Sequence, residues 1–283
     1  MNKGSFTFQI LYSNKRLFFG LILITVYLFL SIFGPFIFDL KPNKIDLRNK
    51  KTAPFKTVLG QYPLGTDGMG RDVFSRLVRG AQISLTVGII STTFAAVIGV
   101  FLGMCAGYYG KFIGNTIMRI TDLIMCYPFI ITSVIAAAML KPGIVTIITV
   151  FSLFGWTEYC RVINGVTLSL KEQEYVTASL ALGASNGWVI IKHIFPNCFS
   201  SVIVMATLQI RLMILGEATL SFIGIGIQPP TPSWGVMISS GREYLGTAWW
   251  ISTLPGIALM LIILGFNLFG DGLNDHLNPK IQK

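Results

Sequence analysis

Charged side chains are scarce in this sequence. Asp, Glu, Lys and Arg make up 12% of the 283 residues, whereas hydrophobic residues make up 53%. Soluble domains carry about twice that charged fraction. A chain this apolar could not cover its own surface in water, which excludes an ordinary soluble protein and predicts one embedded in a lipid bilayer.

Residues that bind metals or form disulfides are also few. The sequence has two histidines, and its four cysteines lie in or beside apolar runs without forming a CxxC pair. This distribution is typical of cysteines buried as small hydrophobic side chains. It predicts neither a disulfide framework nor a metal or cofactor site in this chain.

Two motifs of catalysis and nucleotide binding are missing. The zinc-protease pattern HExxH does not occur. The Walker pattern GxxxxGK[ST] fails twice, because Gly110-Lys111 is followed by Phe112 and Cys105 stands where the first glycine is needed. The sequence therefore predicts a non-enzymatic protein that cannot hydrolyse ATP alone.

The net charge of +10 does not indicate a nucleic-acid partner. A nucleic-acid binder gathers its cations on one face, whereas here they lie mainly in short gaps between apolar runs. That placement favours contact with anionic lipid instead. Because basic residues are nearly equal in number on the two predicted sides, charge alone leaves the orientation open.

Six apolar runs are long enough to cross a bilayer, which takes about 20 helical residues. We predict spanning helices over residues 17–38, 81–108, 120–140, 144–160, 200–223 and 249–269. The first run is too long for a signal peptide, and Pro128 is expected to kink the third helix. The fold class is thus an all-α membrane protein with six transmembrane helices and both termini on one side.

Small residues recur along the second predicted span, at Gly88, Gly99, Gly103 and Gly107 among others. Small side chains let helix backbones approach closely within a membrane. We therefore expect this helix to be packed against others, not to face lipid.

Two ionisable residues fall within the fifth predicted span. Arg211 and Glu217 are six residues apart, which places them on different faces of the helix and argues against a direct pair. A charge in this position is costly and marks either a substrate pathway or a buried packing contact. For Glu217 we favour a hydrogen bond that anchors helix packing.

Glu158 and Arg161 lie near the end of the fourth predicted span. Their three-residue spacing permits contact on one helix face. We predict a local ion pair at the membrane interface.

The polar segment of residues 172–197 predicts two short helices separated by a glycine. Gly183 can end the first helix and Ser185 can cap the second, and Pro196 is expected to stop the second. An apolar stripe along this segment suits docking into a groove of a soluble partner. It equally suits an amphipathic connector on the lipid surface, and both interpretations remain open.

This segment resembles the EAA loop of ABC importer permeases. The matching residues are Thr177-Ala178-Ser179, Gly183 and Ile194-Phe195-Pro196, with Thr in place of the first Glu and Ser in place of the second Ala. Elsewhere the chain is similar to the second permease subunit of dipeptide, oligopeptide and nickel importers. The matching pieces include Pro63-Leu64-Gly65-Thr66-Asp67, Gly70-Arg71-Asp72, Glu174-Tyr175-Val176, Leu220-Ser221-Phe222, Gln228-Pro229-Pro230 and Pro232-Ser233-Trp234-Gly235.

The resemblance implies a type I ABC importer permease fold in a bacterial inner membrane. It implies a homologous permease partner, two ATPase subunits that bind ATP and Mg, and an extracytoplasmic substrate-binding protein. Residues 1–16 and 273–283 would then be cytoplasmic, 39–80 extracytoplasmic, and 81–272 the permease core with a coupling loop at 161–198. The implied ATPase-coupling residues are Tyr175, Thr177, Ala178, Ser179, Gly183, Ile194 and Pro196.

The function implied by this resemblance is ATP-driven uptake of short peptides. Uptake of nickel or a metal-chelate complex is the alternative within the same family. An ion-coupled secondary transporter is the alternative from a different class.

Overall fold

The computed structural model describes residues 14–56 and 62–277, and helices dominate both ranges without a β-strand in either. The all-α prediction is confirmed. The predicted cytoplasmic terminus 1–16 lies mostly outside the described residues, as does the second half of the predicted tail 273–283. In chain order the helices are α1 (Lys15–Ile37), α2 (Val73–Tyr109), α3 (Lys111–Met125), α4 (Phe129–Ala138), α5 (Ile144–Lys171), α6 (Glu174–Ala181), α7 (Asn186–Val189), α8 (Phe195–Ile223), α9 (Trp234–Gly241) and α10 (Trp250–Leu277).

An aspartate sets the start of α2. The Asp72 carboxylate accepts hydrogen bonds from the backbone N–H groups of Phe74 at 3.2 Å and Ser75 at 2.9 Å. Such a cap satisfies N–H groups that have no partner within the first helical turn. The helix therefore begins at Val73, before the predicted start of the second span at residue 81.

Close contact between backbones joins α2 to α5. A Cβ atom placed on Gly99 would lie 2.3 Å from the carbonyl oxygen of Trp156, and one on Gly103 would lie 2.7 Å from that of Cys160. Both distances are shorter than van der Waals contact, so only glycine allows this approach. The prediction that α2 is a packed helix is confirmed.

The predicted third span is two helices and not one kinked helix. α3 and α4 are bent by 81° relative to each other. Pro128 stands between them with φ −57° and ψ 127°, outside the helical region. Proline has no N–H and disfavours a helical conformation in Tyr127 before it, which explains a break where the sequence predicted only a kink.

Four helices are long and apolar enough to cross a membrane: α1, α2, α10 and the continuous helical stretch Asn186–Ile223. Counting the bent pair α3 and α4 as one span raises the number to five. The remaining long helix, α5, carries Glu158, Arg161 and Lys171. Six spans therefore stays a prediction.

A short helix lies within the Gly/Pro-rich connection after α8, where none was predicted. The Ser233 side chain caps α9 by accepting from the N–H of Val236 at 3.3 Å. Trp234 is fully buried, and its indole Nε1 donates to the carbonyl oxygen of Leu77 at 3.1 Å. Burial of this large side chain stabilises α9. The glycines and prolines around it had indicated a loop and not a helix.

The loop before α2 is held by a buried ion-pair cluster. Asp67 accepts from the guanidinium Nε of Arg71 at 2.7 Å and lies 3.7 Å from Nε of Arg76. The neighbouring carbonyl oxygen of Thr66 accepts from the indole Nε1 of Trp250 at 3.1 Å. The motif residues around 63–72 thus anchor this loop to α2 and α10.

Asp46 joins two parts of the same loop by hydrogen bonds. Its carboxylate accepts from the Asn49 amide at 2.8 Å and from the Tyr62 hydroxyl at 3.0 Å. These hydrogen bonds stabilise the carboxylate and hold the pKa of Asp46 below its ordinary value.

Candidate functional site

The helix–glycine–helix arrangement predicted for residues 172–197 is confirmed. Gly183 follows α6 with φ +89°, and the N–H of Ala184 donates to the carbonyl oxygen of Ser179 at 3.1 Å. Gly183 thereby ends α6 in the left-handed conformation, which glycine adopts without a steric penalty. The Ser185 side chain then caps α7 by accepting from the N–H of Trp188 at 3.4 Å.

The inner face of this segment is firmly anchored. Val176, Val189 and Ile194 are fully buried, in one cluster with Tyr159 and Ile163 of α5. Burying an aliphatic side chain of this size contributes roughly 1.5–3 kcal/mol. Because these side chains share one packed cluster, a displacement of α6 and α7 would also displace α5.

Polar contacts join the same segment to the end of α2. The Tyr108 hydroxyl donates to the Asn186 side-chain oxygen at 2.8 Å. Lys171 Nζ, at the end of α5, donates to the Tyr108 carbonyl oxygen at 2.7 Å. Three parts of the chain thus meet at Tyr108.

His193 connects the two short helices. Its Nε2 lies 3.0 Å from the Ser179 hydroxyl, and its ring packs edge-on against Tyr175 and Trp188 at centroid distances of 5.6 and 5.0 Å. The Ser179 hydroxyl already donates its proton to the Tyr175 carbonyl oxygen at 2.7 Å. The imidazole therefore links α6 to the turn after α7 through Ser179 and the two aromatic rings.

The outer face of the segment is uncovered. Thr177, Ala178 and Gly183 are exposed, and Leu182 is 90% exposed. A Cβ atom added at Gly183 would meet no atom within 4 Å. The segment thus has a buried inner face and an exposed outer face that carries Leu182.

The structure separates the predicted coupling residues into three groups. Tyr175, Thr177, Ala178, Gly183 and Pro196 are exposed, Ser179 is half-buried and Ile194 is fully buried. Ile194 thus anchors the segment from within and offers no surface for docking.

Pro196 does not stop the second helix, contrary to the prediction. Residues Ile190–Ile194 form a π-helical turn in which the N–H of Phe195 donates to the carbonyl oxygen of Ile190. The wider turn supplies the register shift that lets a helix run through a residue with no N–H. The chain passes from α7 into α8 without a break, so α7 and the fifth predicted span form one continuous helical stretch, Asn186–Ile223.

Residues 183–187 read Gly-Ala-Ser-Asn-Gly, which matches the GxSxG spacing of serine hydrolases. The surroundings are those of a helix cap and not of a nucleophile: the stretch follows a helix, and Ser185 is occupied as the cap of α7. The Ser179–His193 contact belongs to the packing of this segment, where the Ser179 hydroxyl also bonds the Tyr175 carbonyl oxygen of its own helix. No carboxylate among the described residues contacts His193, so a triad is not formed there.

Glu217 anchors helix packing, as we favoured from the sequence. It is fully buried, and its two oxygens accept from the hydroxyl groups of Ser84 on α2 at 2.7 Å and Ser221 on α8 at 2.8 Å. Arg211 is half-buried and donates through Nε to the Leu208 carbonyl oxygen at 3.2 Å. The two residues make no pair, as their spacing predicted.

The predicted Glu158–Arg161 ion pair is wrong. Arg161 pairs with Asp122 of α3, and both side chains are about half exposed. Glu158 turns toward α8, where Oε2 accepts from the Gln209 amide at 2.9 Å. Spacing along one helix identified residues that can meet but not the competing partners on neighbouring helices, so Asp122 and Gln209 were missed.

Comparison with known protein families decides the identity of the chain. Residues 99–283 match the family described as binding-protein-dependent transport system inner membrane component. Residues 7–54 match the N-terminal transmembrane domain of oligopeptide transport permease C. The chain belongs to this family of ABC importer permeases. It is a multi-pass bacterial inner-membrane transport subunit, and ATP hydrolysis resides in a separate ATPase.

Similar curated proteins span nearly the whole permease. The dipeptide transport system permease protein DppC of Alkalihalophilus pseudofirmus is 37% identical over 97% of this chain and 89% of that protein. The di/tripeptide transport system permease protein DppC of Pseudomonas aeruginosa is 36% identical over 95% and 89%. The glutathione transport system permease protein GsiD of Escherichia coli is 38% identical over 93% and 85%.

Solved structures confirm the type I importer permease fold. A chain of the inward-facing MetNI methionine ABC transporter matches with a TM-score of 0.58 and 20% identity, covering 72% of this permease and 97% of that chain. An amino acid ABC transporter matches with a TM-score of 0.54 and 12% identity, covering 70% and 92%.

Proposed function

We propose that this permease, with a homologous second permease, forms the path by which an ATP-driven importer takes up short peptides. Two ATPase subunits would bind ATP and Mg, and an extracytoplasmic binding protein would deliver the peptide. The observation that carries this proposal is 37% identity with a dipeptide permease over 97% of the chain.

The segment 172–197 is the proposed ATPase contact. Its exposed residues Ala178, Leu182 and Gly183 would seat in a groove of the ATPase, where small side chains allow close approach. The buried residues Val176 and Ile194 would carry ATPase movement into α5 and α8, because a tightly packed cluster transmits displacement instead of absorbing it. Rocking of these helices would alternate the path between outward- and inward-facing states.

The proposed contact fixes the orientation that charge left open. If the ATPases lie in the cytoplasm, residues 172–197 are cytoplasmic, as are residues 1–16. The basic loop at 39–80 then lies outside, where it is available to the binding protein. The proposal thus replaces the lipid-surface alternative for this segment.

Peptides are favoured over nickel or a metal chelate because the three relatives above are named for dipeptide, di/tripeptide and glutathione transport. An ion-coupled secondary transporter has no support from these relatives. The cargo within the peptide class would be selected first by the binding protein.

Reconstitution of the assembled transporter tests the proposal. Proteoliposomes with the binding protein outside and ATP inside should accumulate a radiolabelled dipeptide, and should not do so with a non-hydrolysable ATP analogue. A matched assay with ⁶³Ni²⁺ should show no ATP-dependent uptake. Peptide uptake driven by a proton or sodium gradient without ATP would overturn the proposal, as would uptake of nickel alone.

A further inference from the structure

A cavity of about 190 Å³ lies where α3 breaks from α4 and faces α5. Tyr127 and Pro128 line it from the break, and Phe154, Thr157 and Glu158 line it from α5. Glu158 is the only charged side chain among the described residues that line this cavity. The chamber is therefore mostly apolar, with one carboxylate in its wall.

The Glu158 carboxylate is half-buried and has no cationic partner among the described residues. Gln209 donates to Oε2 alone, and the nearby Arg161 is engaged by Asp122. A half-buried carboxylate is costly to ionise unless a partner compensates its charge. Oε1 accepts no hydrogen bond from any described residue, so one oxygen of this cavity-lining carboxylate can accept from a ligand.

We propose that Glu158 binds the protonated amino terminus of the peptide during its passage through the permease. This inference rests on the proposed peptide transport. The ammonium group of the peptide would provide the positive charge that Glu158 does not receive from the described residues. It would donate to Oε1 while the Gln209 amide donates to Oε2. The apolar wall around Phe154 would accept the first side chain of the peptide, so that the cavity selects for a free amine and tolerates different side chains.

Glu158→Gln tests the inference with little change in shape, because a glutamine at 158 can still accept from Gln209. With saturating binding protein, we expect ATP-dependent uptake of a free-amine dipeptide to fall about tenfold, the loss of one charge-assisted hydrogen bond. Uptake of the N-acetylated dipeptide, which carries no ammonium, should be unchanged. Glu243→Gln, the same change at an exposed site, should behave as the wild type.

Direct contact provides a second readout that does not depend on transport rate. A dipeptide with a photoreactive first side chain should cross-link to residues 154–158 in the wild type, and much less in Glu158→Gln. Normal free-amine uptake and cross-linking by Glu158→Gln would overturn the inference while leaving peptide transport intact. Failure of the wild-type complex to take up any peptide would overturn both.

Discussion

The Ser84 hydroxyl on α2 donates to the Glu217 carboxylate on α8 at 2.7 Å, in a region where Glu217 has no exposure to solvent. The second carboxylate oxygen accepts from Ser221, whose own hydroxyl also accepts from the N–H of Ile227 at 3.0 Å. This chain of contacts joins two long helices to the turn after α8. A polar group buried in this way specifies how the helices pack.

Replacing Glu217 by alanine should therefore weaken the helix bundle. Ser84 and Ser221 would lose their acceptor, and each unsatisfied buried hydroxyl costs about 1–3 kcal/mol. We expect a lower Tm in detergent, measured by intrinsic fluorescence. Thr219→Ala, two residues away, removes only a hydroxyl that donates to the Leu215 carbonyl oxygen and should leave Tm nearly unchanged. Equal Tm values for the two variants would contradict the anchoring role.

The α2–α5 contact predicts an unequal effect for two glycine substitutions. Gly99→Leu would place side-chain atoms inside the backbone of α5, and overpacking of this kind costs typically 1–3 kcal/mol or more. At Gly165 on α5, an added Cβ atom would meet no atom within 4 Å, so Gly165→Leu starts in open space. Size-exclusion chromatography should show a monodisperse protein for Gly165→Leu and loss of folded protein for Gly99→Leu. A stable Gly99→Leu protein would show that the helices are not in backbone contact.

A matched pair of glycines tests the turn between α6 and α7. Gly183 has φ +89°, whereas Gly187 lies in α7 and shows no positive φ. An alanine in the left-handed conformation costs about 1–2 kcal/mol, so Gly183→Ala should increase hydrogen–deuterium exchange across α6 and lower coupled transport. Gly187→Ala should do neither. An identical exchange pattern in the two variants would contradict the role of Gly183.

His193 provides a test of rigidity within the same segment. His193→Ala removes the hydrogen bond to Ser179 and the ring that packs against Tyr175 and Trp188. We expect the ATPases to continue hydrolysing ATP while peptide uptake per ATP falls several-fold, because α6 would no longer move with α8. The control is His276→Ala, an exposed residue at the end of α10. Unchanged uptake per ATP in His193→Ala would exclude this connection from the coupling.

Local signals in the sequence predicted local structure well. Gly183 and Ser185 identified the turn and the cap because glycine and serine act within their own few residues. Six apolar runs located the helices, although α5 extends to Lys171, past its apolar portion. Where the conformation of a residue depends on its immediate neighbours, as at Gly183 and Ser185, the sequence was enough to predict that conformation.

Contacts between distant parts of the chain were not predictable in the same way. Arg161 and Glu158 found partners on α3 and α8, and helix spacing contains no information about those neighbours. Pro196 was expected to end a helix, but a π-helical turn accommodates it. Trp234 organises α9 through a hydrogen bond to Leu77, 157 residues earlier in the chain. The partners of Arg161, Glu158 and Trp234 are decided by tertiary packing, whereas Pro196 is accommodated by the local backbone.

Cysteine cross-linking at the exposed tip of residues 172–197 tests the central claim most directly. Leu182→Cys, in the full complex during ATP turnover, should cross-link to an ATPase subunit, and the yield should change between the ATP-bound and nucleotide-free states. The control is Val145→Cys, which is also highly exposed but begins α5 at its opposite end; it should not cross-link to an ATPase. Cross-links from Leu182→Cys to lipid probes alone, in every nucleotide state, would contradict the claim that this segment receives the motion of the ATPases.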